Sequence, residues 1–167
     1  NFRPVKRIAD VVRAFAAVLR KVPARLWLVG DGPDREHAMA VAADLGCQHK
    51  VEYHGVLDHL EDVLPQADLF LSASETESFG LSMLEAMSCG VPCVSPAVGG
   101  VSEVLGDTGA LTPFGDPEAL ARAALRFLED PELHAVHAAA SRARAVNLFG
   151  SERIASQYLK VYERVLQ

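Results

Sequence analysis

The sequence predicts an α/β fold built on a doubly wound parallel sheet. Short apolar runs alternate with amphipathic stretches along most of the chain, and such runs are typical of strands covered by helices on both faces. Hydrophobic residues make up 50% of the 167-residue chain, which suffices for one core and argues against disorder. Because the chain has no internal repeat or low-complexity linker, we expect residues 1–167 to form one domain.

The individual elements follow from hydrophobic periodicity and from turn residues. Five strands are predicted, over residues 25–30, 50–55, 68–74, 91–96 and 108–113. Five helices are predicted between or before them, over residues 5–22, 34–46, 58–67, 80–88 and 101–105. From Asp116 onward the chain is predicted to be helical, over residues 116–130, 130–149 and 151–166. Two of these helices open on Asp-Pro-Glu, which joins a capping carboxylate to proline in the first turn.

Composition argues against several kinds of partner and compartment. The formal net charge of −6 disfavours a general nucleic-acid or membrane surface, because both need a basic face. No apolar run is long enough to span a bilayer, and no signal peptide is visible. The odd number of cysteines, 3, at loose spacing favours a reducing, cytoplasmic location. The chain opens within a motif-like stretch without methionine, so we expect it to be a fragment of a longer protein.

Glu77 and Glu85 are the leading candidates for a binding site, in the stretch ETESFGLSMLEAMSCG. Glu77 is expected at a loop-to-helix junction after the strand at 68–74, and Glu85 inside the helix that follows. A helix N-terminus at the carboxyl end of a strand attracts anions. Carboxylates near it can accept hydrogen bonds from sugar hydroxyls on either side of a bound phosphate. The pattern favours a nucleotide-sugar site, and the alternative is a pair of surface glutamates on an exposed helix.

Arg3, Lys6 and Arg7 are candidate cations for such a site. They stand where a helix begins, and we expect a strand to precede them. A diphosphate is commonly bound by arginine and lysine. The alternative is a basic patch on a solvated helix.

Other sequence features favour ordinary structural roles. Residues 30–33, Gly-Asp-Gly-Pro, lack the third glycine of a dinucleotide fingerprint and are expected to form a tight turn. Gly99 and Gly100 are compatible with a close backbone approach to a ligand or with a simple turn. His134 and His137 share a helix, but no carboxylate or cysteine completes a metal set, so no metal site is predicted.

Several motifs resemble those of one enzyme family. ESFGLSMLEAMSCGVPCVSPAVGG is similar to the donor-site motif of retaining family-4 glycosyltransferases of the GT-B type, and VGDGP and HGVLDHLEDVLPQADLFLSAS match in order and spacing. The resemblance covers essentially the whole chain. It implies that residues 1–167 are the C-terminal, nucleotide-sugar-binding domain, a Rossmann-like half of a GT-B fold whose N-terminal acceptor domain is absent.

The resemblance also implies roles for matching positions. Glu85 would bind the ribose hydroxyls of UDP. Glu77 would contact the donor sugar and help to stabilise positive charge in the transition state. Lys6 would neutralise the departing diphosphate. Arg3 would supply a charge that most relatives carry about five positions before the lysine, where this chain has Asn1. Glu77, Lys6 and Arg3 are thus the expected catalytic residues.

Further donor contacts are implied around these charges. Backbone N–H groups of Phe79, Gly80 and Leu81, in what is here called the donor loop, would meet the diphosphate or the sugar, and Val56 would lie against the uracil ring. These additional donor-binding positions are Gly55, Val56, Ser78, Phe79, Gly80 and Leu81.

The opening NFRPVKR resembles a narrower branch that transfers N-acetylglucosamine from a UDP donor to L-malate in bacillithiol synthesis. The expected function is therefore a retaining, metal-independent transfer, with the UDP-sugar as substrate and no cofactor. Expected partners are the donor, L-malate and the protein's own N-terminal domain, and the pairing of subunits into a homo-oligomer stays open. Three alternatives stay open: a transferase with another donor and a lipid, polysaccharide or small-molecule acceptor, an epimerase acting on UDP-N-acetylglucosamine, and a non-catalytic nucleotide-sugar-binding module.

Overall fold

The computed structural model describes residues 1–166 and contains parallel strands and helices in alternation. The strands are Leu26–Val29 (β1), Val51–Gly55 (β2), Phe70–Leu71 (β3), Cys93–Pro96 (β4) and Ala110–Thr112 (β5). The helices are Ile8–Leu19 (α1), Arg35–Asp44 (α2), Leu81–Ser88 (α3), Val101–Leu105 (α4), Pro117–Glu129 (α5), Pro131–Phe149 (α6) and Ser151–Val165 (α7). Short 3-10 turns connect several of them.

Every strand pairing in the described residues is parallel, which confirms the predicted α/β class. The strands form two groups, β1-β2 and β3-β4-β5, rather than one continuous hydrogen-bonded sheet. The two groups nevertheless share one core, because Leu28 of β1 and Val94 of β4 belong to the same buried cluster, packed beneath α1 and α5. A second buried cluster lies between α3, α4 and α6.

The first predicted helix is wrong at its start. Residues Pro4–Lys6 form a 3-10 turn, Arg7 has φ of 52°, and α1 begins only at Ile8. The guanidinium of Arg7 donates to the carboxylate of Asp10 at 2.8 Å, which compensates in part for a backbone conformation that L-residues rarely adopt. The break separates the Lys6 segment from α1, so that its position is set by other contacts.

Two other predicted elements are shorter than expected. The helix predicted over 58–67 consists of two 3-10 turns, Leu60–Asp62 and Leu64–Gln66. Pro65 sits inside this stretch and has no N–H to donate, which prevents one regular helix. The strand predicted over 68–74 is limited to Phe70–Leu71, although the N–H of Ser72 still donates to Val94 O at 3.0 Å.

Both predicted Asp-Pro-Glu helix starts are confirmed. The carboxylate of Asp116 accepts the N–H of Ala119 at 2.8 Å and so caps α5. The carboxylate of Asp130 accepts two N–H groups at the start of α6. The capping bonds are local, which explains why sequence alone located these two helices well.

Helix α7 exposes one apolar face. Tyr158 and Val161 are 61% and 52% exposed, and Ile154 is half-buried. We expect a C-terminal helix with such an apolar face to pack across a domain boundary, and that packing stays a prediction. Among residues 1–166, no helix has both the length and the apolar character needed to cross a membrane.

Candidate functional site

Glu77 and Lys6 form an ion pair between two segments that are 71 residues apart in sequence. Lys6 lies on the 3-10 turn before α1, and Glu77 lies in the loop between β3 and α3. The two segments are also joined by a backbone hydrogen bond, in which the N–H of Glu75 donates to the carbonyl of Val5 at 2.8 Å. The two side chains are only 23% and 19% exposed, so the pair is shielded in part from water.

The Gly99–Gly100 pair supports this loop directly. The N–H of Gly100 donates to the carbonyl of Glu77 at 2.9 Å. A Cβ atom on Gly99 would lie 2.1 Å from that carbonyl oxygen, and one on Gly100 would lie 2.3 Å from the carbonyl oxygen of Ser78. The glycine pair thus permits a close backbone approach to the protein's own Glu77 loop, and a close approach to a ligand stays a prediction.

The start of α3 follows immediately after Glu77. Gly80, with φ of 88°, is buried and allows the chain to turn sharply into the helix at Leu81. The first N–H groups of a helix have no partner inside it and carry partial positive charge. Ser78 is exposed, and Phe79 and Leu81 are 41% and 62% exposed, so the loop and the helix start are open to a ligand.

Phe79 makes a contact that the sequence analysis missed. Its ring packs edge-to-face against Phe149, the last residue of α6, with centroids 5.6 Å apart. The residues are 70 positions apart, and no local pattern marks such a pair. The contact connects the loop between β3 and α3 to the end of α6, just before α7.

Glu85 lies on the second turn of α3, among tightly packed neighbours. Ala86 and Met87 are fully buried at 0% exposure, and Glu85 itself is half-buried. Burial raises the pKa of the Glu85 carboxyl above its ordinary value, because desolvation disfavours the charged form. A carboxylate kept in such surroundings is ready to accept hydrogen bonds from a ligand.

This raised pKa predicts a measurable stability effect. Relative to Glu85→Gln, the unliganded wild-type protein should lose stability as the pH rises from about 4.3, the ordinary value for glutamate, through the raised pKa. Urea unfolding at pH 4.0 and pH 7.5 measures this. We expect the advantage of Glu85→Gln over wild type to be larger at pH 7.5. The exposed Glu163→Gln is the matched control, and an equal advantage at both pH values would contradict the prediction.

Lys6, Val56 and Glu85 line the same cleft, which has a volume of about 870 Å³. Val56 is 76% exposed at the rim and follows Gly55, whose carbonyl accepts the N–H of Gly30 at 2.6 Å. Arg3 is placed differently, since its exposed side chain donates to Asn1 Oδ1 at 3.2 Å. The structure thus brings Lys6, Glu77 and Glu85 to one region and leaves the Arg3 side chain outside it.

The described residues hold no cluster of three metal-ligating side chains. His134 directs Nε2 to the carbonyl of Asp68 at 2.7 Å, and the His137 ring packs on Phe127 with centroids 5.1 Å apart. Both histidines have structural partners. Around the Lys6–Glu77 pair, the available groups are an ammonium, a carboxylate and the N-terminus of α3, and the Glu85 carboxylate lies farther along the same helix. This set is suited to an anionic, hydroxyl-rich ligand.

Comparison with known proteins shows the family to which the chain belongs. A family model described as "Glycosyl transferases group 1" matches residues 1–130, and the chain is a member of that family. The N-acetyl-alpha-D-glucosaminyl L-malate synthase of Bacillus anthracis is 44% identical over 100% of this chain and 44% of its own length. The D-inositol 3-phosphate glycosyltransferase of Salinispora arenicola is 37% identical over 96% of this chain and 39% of its own length. The chain therefore spans less than half of either relative.

Solved structures confirm the GT-B type of fold. Sucrose-phosphate synthase from Thermosynechococcus elongatus superposes with a TM-score of 0.89 at 32% identity, over 99% of this chain and 43% of that one. Anabaena HepE in complex with UDP superposes with a TM-score of 0.91 at 25% identity, over 98% of this chain and 47% of that one.

Proposed function

We propose that this chain is the C-terminal, donor-binding domain of a retaining glycosyltransferase that transfers N-acetylglucosamine from UDP-N-acetylglucosamine to L-malate. The observation that carries the proposal is the Lys6–Glu77 pair beside the N-terminus of α3, with Glu85 in the same cleft as Lys6. The similarity to the Bacillus anthracis enzyme supports the choice of sugar and acceptor. The HepE complex with UDP supports a UDP donor.

Each charge has a distinct proposed task. Lys6 and the first N–H groups of α3 bind the diphosphate, and Glu85 accepts hydrogen bonds from the ribose hydroxyls. Glu77 contacts the hexose, and its negative charge stabilises the positive charge that develops at the anomeric carbon. Gly55, Val56, Ser78, Phe79, Gly80 and Leu81 complete the donor contacts. The UDP-sugar is a substrate, and we propose no cofactor or metal.

We expect the Lys6 ammonium to exchange its partner when the donor binds. Without ligand, the Lys6 ammonium donates to Glu77. A diphosphate beside Lys6 supplies a stronger anionic partner, so that a Glu77 oxygen becomes available to the sugar. When the bond between the anomeric carbon and the diphosphate oxygen breaks, negative charge grows on UDP next to Lys6, which stabilises the leaving group. The malate hydroxyl oxygen then forms the new bond to the anomeric carbon on the same face, and its proton passes to the diphosphate oxygen of the departing UDP.

A second candidate is a transferase with a different small acceptor. The Salinispora arenicola relative is named for D-inositol 3-phosphate and is also more than one-third identical, at 37%. None of the charged groups described here selects between the two acceptors. The protein's own N-terminal domain, in this proposal, carries the acceptor contacts.

Product analysis with the full-length enzyme tests the function. We expect UDP-N-acetylglucosamine and L-malate to give a glycoside with α configuration, detected by mass spectrometry and by the anomeric proton coupling. D-inositol 3-phosphate in place of malate should give no product. Formation of the inositol glycoside alone would favour the second candidate, and epimerised donor without any glycoside would contradict both.

A further inference from the structure

We propose that Phe149, the last residue of α6, is a positioning residue for the donor loop, and that Arg144 of the same helix assists it through α4. Neither side chain needs to touch the donor. Phe149 acts through Phe79, and Arg144 acts through the helix that follows the glycine pair. The inference rests on the proposed function, because the donor loop is the proposed contact for the diphosphate and the sugar.

The ring of Phe79 anchors the donor loop to the rest of the protein. Phe79 is 41% exposed, and its ring contacts Phe149 edge-to-face, with 5.6 Å between the centroids. Phe149 is half-buried and packs against the second buried cluster, between α3, α4 and α6. Aromatic rings in this geometry attract one another beyond what their buried area contributes. A residue packed against the core thus holds the orientation of Phe79.

The orientation of Phe79 affects two of the proposed binding groups. Glu77, which pairs with Lys6, precedes Phe79 by two residues, and α3 begins two residues after Phe79, at Leu81. In so short a segment, a backbone rotation at Phe79 moves the Glu77 carboxylate relative to the first N–H groups of α3. Loss of the Phe149 ring should therefore change how the loop receives a donor.

Two arginines of α6 hold the C-terminal ends of α3 and α4. Arg144 donates through Nε to the carbonyl of Val104 at 2.8 Å and through Nη2 to that of Glu103 at 2.7 Å. Arg142 donates to the carbonyl of Ser88, the last residue of α3, at 2.7 Å. The last carbonyl groups of a helix have no partner within the helix and carry partial negative charge, so a guanidinium stabilises them. Helix α6 therefore fixes the ends of both helices.

The contact made by Arg144 is connected through α4 to the loop between β3 and α3. Helix α4 has only 5 residues, Val101–Leu105, and begins directly after Gly100, whose N–H donates to the carbonyl of Glu77. The guanidinium of Arg144 lies against Gly106, where an added Cβ would be 2.7 Å from Cζ. Because α4 is so short, its position determines where Gly100 meets the loop.

Phe149→Leu in the full-length enzyme tests the inference. We expect the Kd for UDP and the KM for the UDP-sugar to rise by about tenfold, within the range for residues that act on a ligand without touching it. The KM for malate should stay within about twofold of the wild-type value. A purely structural role predicts a different result, because partial unfolding lowers kcat with the folded fraction and leaves both KM values unchanged. Titration calorimetry and initial rates measure these constants.

A double-mutant cycle with Phe79→Leu shows whether Phe149 acts through Phe79. Effects of residues in contact are not additive, so Phe149→Leu should raise the Kd for UDP by less than about twofold when Phe79 is already leucine. An equal effect of Phe149→Leu in both backgrounds would overturn the proposal. Val146→Ala, at a 58% exposed position of the last turns of α6, is the control and should leave the Kd for UDP unchanged.

Arg144→Met tests the second contact and keeps the proposal testable if Phe149→Leu does not fold. It should raise the Kd for UDP by about threefold to tenfold. Arg144→Lys should recover part of this loss, because an ammonium can still donate to a carbonyl at the end of α4. Arg126→Met, which removes an exposed arginine of α5, is the matched control and should leave the Kd for UDP unchanged.

The outcomes separate this inference from the proposed function. Equal affinity for UDP in the wild type, Phe149→Leu and Arg144→Met would overturn the inference and leave the proposed function intact. Weaker UDP binding by both variants, together with a wild type that forms no glycoside from malate, would support the inference and contradict the proposed acceptor. A wild type without affinity for UDP would overturn both.

Discussion

Lys6→Met should lower kcat of the full-length enzyme by about 100-fold to 1,000-fold, the range seen when one group that stabilises developing negative charge is removed. The substitution keeps much of the apolar stem and removes only the ammonium that contacts Glu77. It also leaves Glu77 without its cation in a partly buried site, which disfavours binding of an anionic donor. Initial rates at saturating and limiting UDP-N-acetylglucosamine separate the two effects.

Lys21→Met is the matched control for this measurement. Lys21 follows α1 and is exposed, so removal of its charge should leave kcat and KM unchanged within about twofold. Lys6→Arg tests geometry, because it restores charge with a larger, planar head group. A Lys6→Met enzyme with wild-type kcat would remove Lys6 from the proposed chemistry.

Gly100→Ala should weaken both donor binding and turnover, with kcat/KM lower by about 100-fold, because a displacement of about 1 Å near reacting groups has effects of this size. The new Cβ would lie 2.3 Å from the carbonyl oxygen of Ser78, and backbone atoms cannot move aside as a flexible side chain can. The Glu77–Ser78 segment must shift instead. Steady-state kinetics and a crystal structure of the variant measure the two consequences.

The backbone of Gly100 makes this substitution informative. Its φ of −79° and ψ of −2° are accessible to alanine, so no left-handed strain accompanies the added methyl group. Gly46→Ala is the control with backbone strain and no steric clash. Its φ of 68° disfavours alanine, but nothing lies within 4 Å of the added Cβ. It should lose about 1 kcal/mol of stability and keep its kcat. Equal kcat/KM in Gly100→Ala and wild type would show that the glycine pair does not hold the donor loop.

Features with local causes could be predicted from the sequence. The starts of α5 and α6 follow from aspartate capping bonds that span two or three residues. The end of α3 near Cys89–Gly90 also matches, since Gly90 has φ of 76°. Features that depend on distant contacts could not be predicted, and the break in the helix at Arg7 is an example. The segment that contains Lys6 is held by a hydrogen bond from the N–H of Glu75 to the carbonyl of Val5, which is distant in sequence.

In the candidate site, too, the locally determined features could be predicted and the contacts between distant residues could not. Sequence placed Glu77 before the α3 start and Glu85 within the helix, since strand, loop and helix follow each other closely. It could not reveal that Lys6 pairs with Glu77, or that Phe79 packs on Phe149, because such pairs are separated by 71 and 70 residues and leave no periodic signal. The sequence likewise could not reveal that the glycine pair packs against the carbonyl groups of Glu77 and Ser78.

Saturation-transfer NMR with UDP-N-acetylglucosamine and UDP, on this chain and its Glu85→Gln variant, tests the donor site most directly. Glu85 lines the cleft with Lys6, and the variant removes its charge while preserving its shape. We expect transfer to the ribose and uracil protons of both ligands in the wild type and a loss of at least about tenfold in affinity in the variant, the cost of one charged hydrogen bond. Equal transfer in both folded proteins would contradict the assignment of the nucleotide site to this cleft.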